Sequence, residues 1–143
     1  MLYLDQAGKG HKRLSNDVVM WFMGKYHPRH NIEVSLLHRG LLREGVYGWC
    51  SVQDCDHRPR SFLIEIHNRL DDKTFIKVLL HELWHVKQFV TGDMRDKKGK
   101  KYWKGVDISN VDYDDDPSEI EATKLEIPLY YEYMLDRPST STV

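Results

Sequence analysis

A chain of 143 residues with 41% hydrophobic residues is long enough to form one domain around a single core. Its formal net charge of -1 excludes a global electrostatic attraction to nucleic acid or to an anionic membrane. The first residues, MLYLDQAGKGHKR, lack the apolar run of a signal peptide, and no stretch of about 18 apolar residues predicts a membrane span. We therefore expect a cytoplasmic protein with no membrane partner.

The first half of the chain predicts a helix followed by strands. The segment SNDVVMWFMGKYHP has apolar residues at helical spacing, a capping candidate at Ser15 or Asn16, and a stop at Pro28. Three later segments have the alternation or the residue types of strands: IEVSLLHRG, VYGWCSV and SFLIEIHNRL. The third of these strands is predicted to lie at an edge of the sheet.

The middle of the chain predicts a central helix over residues 73–90. Asp71 or Asp72 can cap its start, and Thr91 with Gly92 can end it. Apolar residues occupy most of its circumference, so little polar surface remains. The helix is therefore predicted to be mostly buried, and the few polar side chains on it need partners.

The last helix is predicted to begin at Pro117, with Asp116 at its cap. Pro128 is predicted to kink or end this helix, because proline cannot donate the helical hydrogen bond. We assign residues 1–135 to a single domain and residues 136–143, which are rich in Ser and Thr, to a flexible tail.

Residues 81–85 read HELWH and lie on the predicted central helix. Positions four apart share a helix face, so His81 and His85 can present two ring nitrogens to one ion at the roughly 2.0–2.1 Å that zinc prefers. Glu82 flanks the same ion without binding it, where a carboxylate can accept a proton from water. The pattern predicts a zinc site with Glu82 as general base, in preference to two unrelated core histidines.

The third metal ligand is predicted from the chain downstream of the motif. A catalytic zinc usually has three protein ligands, and no histidine occurs after His85, so a downstream ligand must be a carboxylate. The last helix offers a rigid platform with Glu119, Glu121 and Glu126. Glu119 and Glu121 point roughly 200° apart, so only one can face the ion. We predict Glu119, with Glu121 as the alternative; a competing role for Glu119 is to complete a capping box with Asp116.

Two other classes of function compete with catalysis. A non-catalytic, zinc-stabilised binding module would close the fourth metal position with His57, His67 or a cysteine, although Cys50 and Cys55 are predicted to be a reduced pair. A purely structural zinc site does not require Glu82, because it needs no general base. Nucleic-acid binding through the basic run RDKKGKK is less favoured than a solvated surface turn, because the run is short and lies next to an acidic loop.

The motifs HELWHVKQF, YWKG and DDDPSEIEA resemble the small HExxH metallopeptidases of the minimal gluzincin type, including SprT-like proteins often encoded by bacteriophages. The resemblance covers about residues 60 to 130. It implies a zinc-dependent endopeptidase in which His81, His85 and Glu119 bind Zn²⁺ and Glu82 is the general base. If the protein is viral, the implied location is the host cytoplasm.

The resemblance also implies an α+β fold, in which a small, mostly antiparallel sheet packs on the central HExxH helix between an N-terminal and a C-terminal helix. An extended protein or peptide substrate would pair with an edge strand, which SFLIEIHNRL is placed to supply. Tyr102, Tyr113 and Tyr130 are candidates for stabilising an oxyanion. The chain departs from the family at Thr123, where gluzincins often carry an aspartate that orients a ligand histidine, and in lacking the downstream third histidine of SprT proteins.

Overall fold

The computed structural model describes residues 1–137 and has the predicted α+β architecture, with three helices and two sheets. The first sheet contains β1 (Leu2–Gly8), β2 (Ile32–Arg39), β3 (Gly48–Val52) and β4 (Ser61–His67). The second contains β5 (Met94–Lys97), β6 (Lys100–Trp103) and β7 (Val106–Asp107). The helices are α1 (Lys12–Tyr26), α2 (Asp72–Thr91) and α3 (Pro117–Asp136). Within the described residues, no helix is long and apolar enough to cross a membrane.

The first sheet has the strand order β1-β2-β4-β3 and is mixed. β1 pairs parallel with β2, and β2 pairs parallel with β4, whereas β3 is antiparallel to β4. The prediction of a mostly antiparallel sheet is therefore wrong for this sheet. The strand β1 was not predicted, and α1 is the crossover that returns the chain so that β2 can run in the same direction as β1.

β4 lies inside the sheet, between β2 and β3, so its prediction as an edge strand is wrong. Its inward residues Phe62, Ile64 and Ile66 are fully buried. Alternation of apolar residues reports the burial of one face and carries no information about how many strands lie alongside. The free edges belong to β1 and β3, and β3 is the one next to α2, because a Cβ added to Gly48 would lie 3.4 Å from Cγ of Glu82.

The helix α2 is central and mostly buried, as predicted. The carboxylate of Asp71, not that of Asp72, caps it by accepting a hydrogen bond from the backbone N–H of Thr74 at 3.0 Å. Gly92 ends it in the left-handed conformation, with φ of 85°. Its apolar side chains pack into the core formed with the inward faces of β2 and β4. The polar motif residues are thereby held on a rigid support.

The helix α3 runs through Pro128 to Asp136, so of the two effects predicted for Pro128, a kink or an end, the end is wrong. Proline deprives the carbonyl of Lys124 of its helical partner. Both Lys124 and Pro128 are exposed, so water can replace the missing hydrogen bond. Of the predicted tail, Asp136 belongs to this helix, and residues 138–143 lie outside the described part of the chain.

The basic segment RDKKGKK is part of a hairpin, not a simple turn. β5 and β6 pair antiparallel, and the two connecting residues, Lys98 and Gly99, both have positive φ, of 52° and 78°. This is the conformation that two-residue hairpin turns require. The strands could not be recognised from the sequence, because most residues of this segment are exposed and charged and do not alternate with apolar ones.

A buried histidine at the end of α1 makes stability dependent on pH. His27 is 4% exposed, and neither of its ring nitrogens has a hydrogen-bond partner within the described residues. Burial, assisted by the nearby positive charges of Lys87 and Arg60, lowers the pKa of His27 from 6.5 to about 4. The folded protein therefore keeps this side chain neutral in a range where the unfolded chain protonates it.

We expect the free energy of unfolding to fall by about 3 kcal/mol on acidification, because the unfolded chain binds a proton at His27 more readily than the folded protein does. The loss begins below pH 6.5 and is complete below about pH 4. Urea titrations across this range measure it. The His27→Leu variant should lose this part of the pH dependence, and a control change at the exposed His57 should keep it. An unaltered pH dependence in His27→Leu would contradict the assignment.

Candidate metal centre

Three side chains from two helices converge beside the sheet. His81 and His85 lie one turn apart on α2, are 7% and 4% exposed, and have ring centroids 4.9 Å apart. The carboxylate of Glu119, in the first turn of α3, lies 2.9 Å from Nε2 of His81 and 3.1 Å from Nε2 of His85. The three candidate ligand atoms lie within 4.8 Å of one another.

This set of donors fits a zinc ion. Ligand atoms bound tetrahedrally at about 2.0 Å from zinc lie roughly 3.3 Å from each other. The Glu119 carboxylate lies at close to this distance from both Nε2 atoms, at 2.9 and 3.1 Å, and all three ligand atoms lie within 4.8 Å of one another. Two imidazole nitrogens and one carboxylate oxygen are also a donor set that zinc accepts. His81, His85 and Glu119 can therefore hold the ion with small adjustments of their side chains.

The start of α3 directs Glu119 at the histidines. Asp116 caps the helix by accepting hydrogen bonds from the backbone N–H and the hydroxyl of Ser118, at 2.9 and 2.6 Å. Glu119 makes no capping-box bond to Asp116 among residues 1–137; the backbone N–H of Asp116 donates to Tyr113. The small Ala122, 1% exposed, lies on the same side and allows α3 to approach α2 closely.

Glu121, the alternative ligand, points elsewhere. One of its carboxylate oxygens accepts hydrogen bonds from the indole of Trp84 at 2.7 Å and from the amide of Gln88 at 3.2 Å. It thereby fastens α3 to α2 on the flank of the histidine pair. Of the two predicted candidates, the structure brings only Glu119 to the histidines, because residues two apart on a helix face opposite ways.

Gln88 orients His85. Its side-chain carbonyl lies 2.7 Å from Nδ1 of His85, and its amide group donates to the backbone carbonyl of Ser118 at 3.0 Å. Because a carbonyl can only accept, Nδ1 of His85 is the donor in this bond, which leaves Nε2 as the ring nitrogen that would bind a metal. Gln88 is 1% exposed, so this bond is protected from water.

Glu126 orients His81, whereas the sequence suggested it only as a competing ligand. Its carboxylate lies 2.7 Å from Nδ1 of His81, on the ring nitrogen opposite Glu119. Residues 119, 122 and 126 have the spacing of one helix face, which is the signal that could have assigned this role. Thr123, where the family resemblance implies an orienting aspartate, is exposed.

We expect Glu126→Ala to weaken zinc binding about 10- to 100-fold, because a ligand histidine without its hydrogen-bonded carboxylate is less basic and less well oriented. Glu126→Gln keeps a carbonyl acceptor and should lose less. Competition with a chromophoric zinc chelator measures the affinities. The exposed Thr123→Ala change is the control. Equal affinity in wild type and Glu126→Ala would show that the hydrogen bond is irrelevant to metal binding.

The histidines and the carboxylates of the cluster shift each other's pKa. Burial alone lowers the pKa of His81, but its hydrogen bonds to Glu119 and Glu126 outweigh burial and raise the pKa to about 10. Conversely, hydrogen bonds from His81 and His85 outweigh burial at Glu119 and hold its pKa below the usual range. Without a metal, both ring nitrogens of His81 therefore carry a proton at neutral pH, and the ring is positively charged. A divalent cation that binds here must displace one of these protons.

Glu82 lies beside the cluster and is 6% exposed. Burial raises its pKa to about 7, against the opposing effect of the two histidines. Its side chain forms no hydrogen bond or ion pair within residues 1–137, so no structural contact explains a buried carboxylate at this position. A carboxylate that titrates near neutral pH can both accept and return a proton.

The cluster lies at the base of a cleft of about 610 Å³. One wall is formed by β3 and the residues before it, and includes Gly48 and Cys50. The opposite walls come from the β5–β6 hairpin, with Asp96, and from the 3₁₀ turn before α3, with Tyr113. Of the three candidate tyrosines, only Tyr113 lines the cleft. Tyr113 is 67% exposed, but partial desolvation and the charge of Glu119 raise its pKa to about 12, so its hydroxyl keeps its proton at neutral pH.

The described residues supply no fourth side-chain ligand. The candidate metal group contains only His81, His85 and Glu119. Nδ1 of His67 accepts a hydrogen bond from the backbone N–H of Leu41 at 3.0 Å instead. His57 and Cys55 are exposed, and Cys50, although it lines the cleft, is not a member of the group. An ion held by these three residues would therefore have no fourth side-chain ligand from the described part of the chain.

The fold and the cluster define an α+β protein with two histidines and one carboxylate converging at the base of a cleft. We compared the chain with models of protein families, with curated proteins and with solved structures, and none of them matches. Its function must therefore be inferred from the geometry of this cluster.

Proposed function

We propose that the protein is a zinc-dependent endopeptidase, a small metallopeptidase of the HExxH type, in which His81, His85 and Glu119 hold the ion. The observation that carries the proposal is the approach of Glu119 to both histidines, with ligand atoms within 4.8 Å of each other. The unpaired, buried Glu82 beside them supports catalysis over a purely structural role, because burying a carboxylate without a partner costs stability.

In the proposed reaction, each residue of the site has its own role. A zinc ion held by the three ligands supplies a Lewis acid that activates water and polarises the scissile carbonyl. Glu82 accepts the proton of the attacking water and returns it to the leaving amine nitrogen, for which a pKa near 7 is well suited. We assign to Tyr113, which lines the cleft, the role of donating a hydrogen bond from its hydroxyl to the developing oxyanion. Gln88 and Glu126 keep the two imidazoles oriented.

The substrate that we propose is a protein or peptide in extended conformation. β3 borders the cleft next to Glu82, and its outer edge has no neighbouring strand within the described residues. Its free backbone groups can pair with an added strand, which gives affinity with little dependence on side chains. This assigns to β3 the role that the family resemblance implies for an edge strand.

A non-catalytic, zinc-stabilised module is the competing proposal. A structural zinc usually has four side-chain ligands. The part of the chain that the structure describes offers three, and all three line a cleft of about 610 Å³ that is large enough for a peptide segment. Both features favour the peptidase.

The test is removal and return of the metal. We expect the zinc-loaded protein to digest a fluorescently labelled casein, to lose this activity after treatment with 1,10-phenanthroline, and to regain it with one equivalent of zinc. Mass spectrometry for metals verifies each state. Digestion that continues after complete metal removal, or a zinc-loaded protein that digests no substrate, would overturn the proposal.

A further inference from the structure

A second cavity, of about 200 Å³, adjoins the cleft, and Phe89 borders both of them. Its lining includes Arg58 and Arg60 from the connection between β3 and β4, and Arg95 from β5. Asp56 is the only acidic residue in the lining. We call this cavity the basic pocket, since three arginines face one aspartate there.

The arginines of the basic pocket keep most of their donors free. None of the three forms an ion pair within residues 1–137. Their one side-chain hydrogen bond runs from Arg60 to the adjacent carbonyl of Pro59, at 2.8 Å. Asp56 does not neutralise them; its carboxylate accepts from the backbone N–H of Lys98 at 3.4 Å. A guanidinium group offers a fork of donors that matches a carboxylate.

The fold assembles this pocket from two basic segments that are far apart in sequence. Asp56 directly precedes the segment HRPR, residues 57–60, and its hydrogen bond from Lys98 connects this part of the chain to the tip of the β5–β6 hairpin. The side chains of the neighbouring cleft are mainly acidic, because four carboxylates line it against one lysine: Glu82, Asp96, Glu119, Glu126 and Lys101. A ligand that spans both cavities therefore meets a change of charge along its length.

We propose that the basic pocket binds an acidic side chain of the peptide substrate whose scissile bond lies at the metal centre. This inference rests on the proposed function and specifies its substrate class. β3 leads from Gly48, next to Glu82, directly into the loop that carries Arg58 and Arg60. At about 3.3 Å per residue, a peptide paired with β3 reaches the pocket about three to six residues from the cleaved bond.

A carboxylate fits this pocket better than a nucleic acid does. A polyanion that continued from the pocket into the cleft would pass four carboxylates and a single lysine, Lys101, so that repulsion from like charges outweighs attraction by the side chains there. Stacking of bases needs accessible aromatic faces. Phe89, the only aromatic residue in the pocket lining, is 5% exposed.

The test measures binding separately from cleavage. Fluorescence anisotropy of labelled peptides is recorded on the zinc-loaded Glu82→Gln protein, with Glu or Gln placed in turn at every position of one otherwise uncharged peptide. Where wild type cleaves this peptide, the position that prefers Glu should lie about three to six residues from the cleaved bond. We expect Glu at one position to tighten binding about 5- to 10-fold over Gln, with the advantage shrinking at high salt. The Arg58→Gln/Arg95→Gln double change should remove the advantage and leave binding of the Gln peptide unaltered. Arg13→Gln, an exposed change on α1, is the matched control.

Three results would overturn the inference: equal binding of the Glu and Gln peptides, an advantage that survives the double change, or a single-stranded oligonucleotide that binds through these arginines more tightly than the Glu peptide. Failure of the proposed function has a different signature. In that case wild type cleaves no peptide in the presence of zinc, even where the Glu advantage and its loss in the double variant are both observed. That combination would support an acidic-peptide site on a protein that is not a peptidase.

Discussion

Replacing Glu119 with Gln is expected to weaken zinc binding by more than about 100-fold, since loss of a residue that merely orients a ligand already costs up to that factor. The change removes the only negatively charged ligand of the group, since the other two members are histidines, which bind a metal as neutral imidazoles. The side chain keeps its length, so the helices can still pack as before. Zinc affinity is measured by competition with a chelator and stoichiometry by mass spectrometry.

Glu121→Gln provides the matched control, with the same chemical change on the same helix two residues away. Its side-chain oxygen can still accept from Trp84, so the contact between α2 and α3 is retained. We expect zinc affinity within a few-fold of wild type, since Glu121 does not face the histidines. Loss of zinc from Glu121→Gln, with retention in Glu119→Gln, would reverse the assignment of the third ligand.

Replacing Glu82 with Gln is expected to leave zinc binding intact and to lower kcat for peptide hydrolysis about 10²- to 10⁴-fold. The carboxylate is adjacent to the ion but is not among the candidate ligands. An amide of the same shape cannot accept the proton of the attacking water, so the substrate still binds while the chemical step is lost. Steady-state kinetics on a fluorogenic peptide measure the change.

The control for this variant is Glu33→Gln, which alters an exposed carboxylate on β2 and should leave kcat unchanged. The buried Glu82 also costs stability, so its replacement by a neutral amide should not destabilise the fold. Retention of more than about one tenth of the wild-type kcat by zinc-loaded Glu82→Gln would rule out this residue as the general base.

Local periodicity predicted the parts of the site that depend on one helix. Capping by Asp71 and Asp116 and the shared face of His81 and His85 all follow from spacing within a helix. Spacing also predicted that only one of Glu119 and Glu121 could face the histidines, and the small Ala122 on the side of Glu119 favoured that residue.

The parts that require two elements to meet were missed or mistaken. Alternation within SFLIEIH could not reveal that β3 and β2 both pair with it, and the strand Leu2–Gly8 is defined mainly by its parallel pairing with β2. Spacing places Glu126 on the same face of α3 as Glu119, but its approach to His81 also depends on how α3 crosses α2. The basic pocket likewise exists only because two distant segments are brought together.

The most direct test of the central claim is a crystal structure of the zinc-loaded protein with anomalous data collected at the zinc absorption edge. We predict a single strong peak bonded to Nε2 of His81, Nε2 of His85 and a carboxylate oxygen of Glu119, with the fourth position open to the cleft. A peak elsewhere, a fourth side-chain ligand such as Cys50, or no peak at this site would contradict the account.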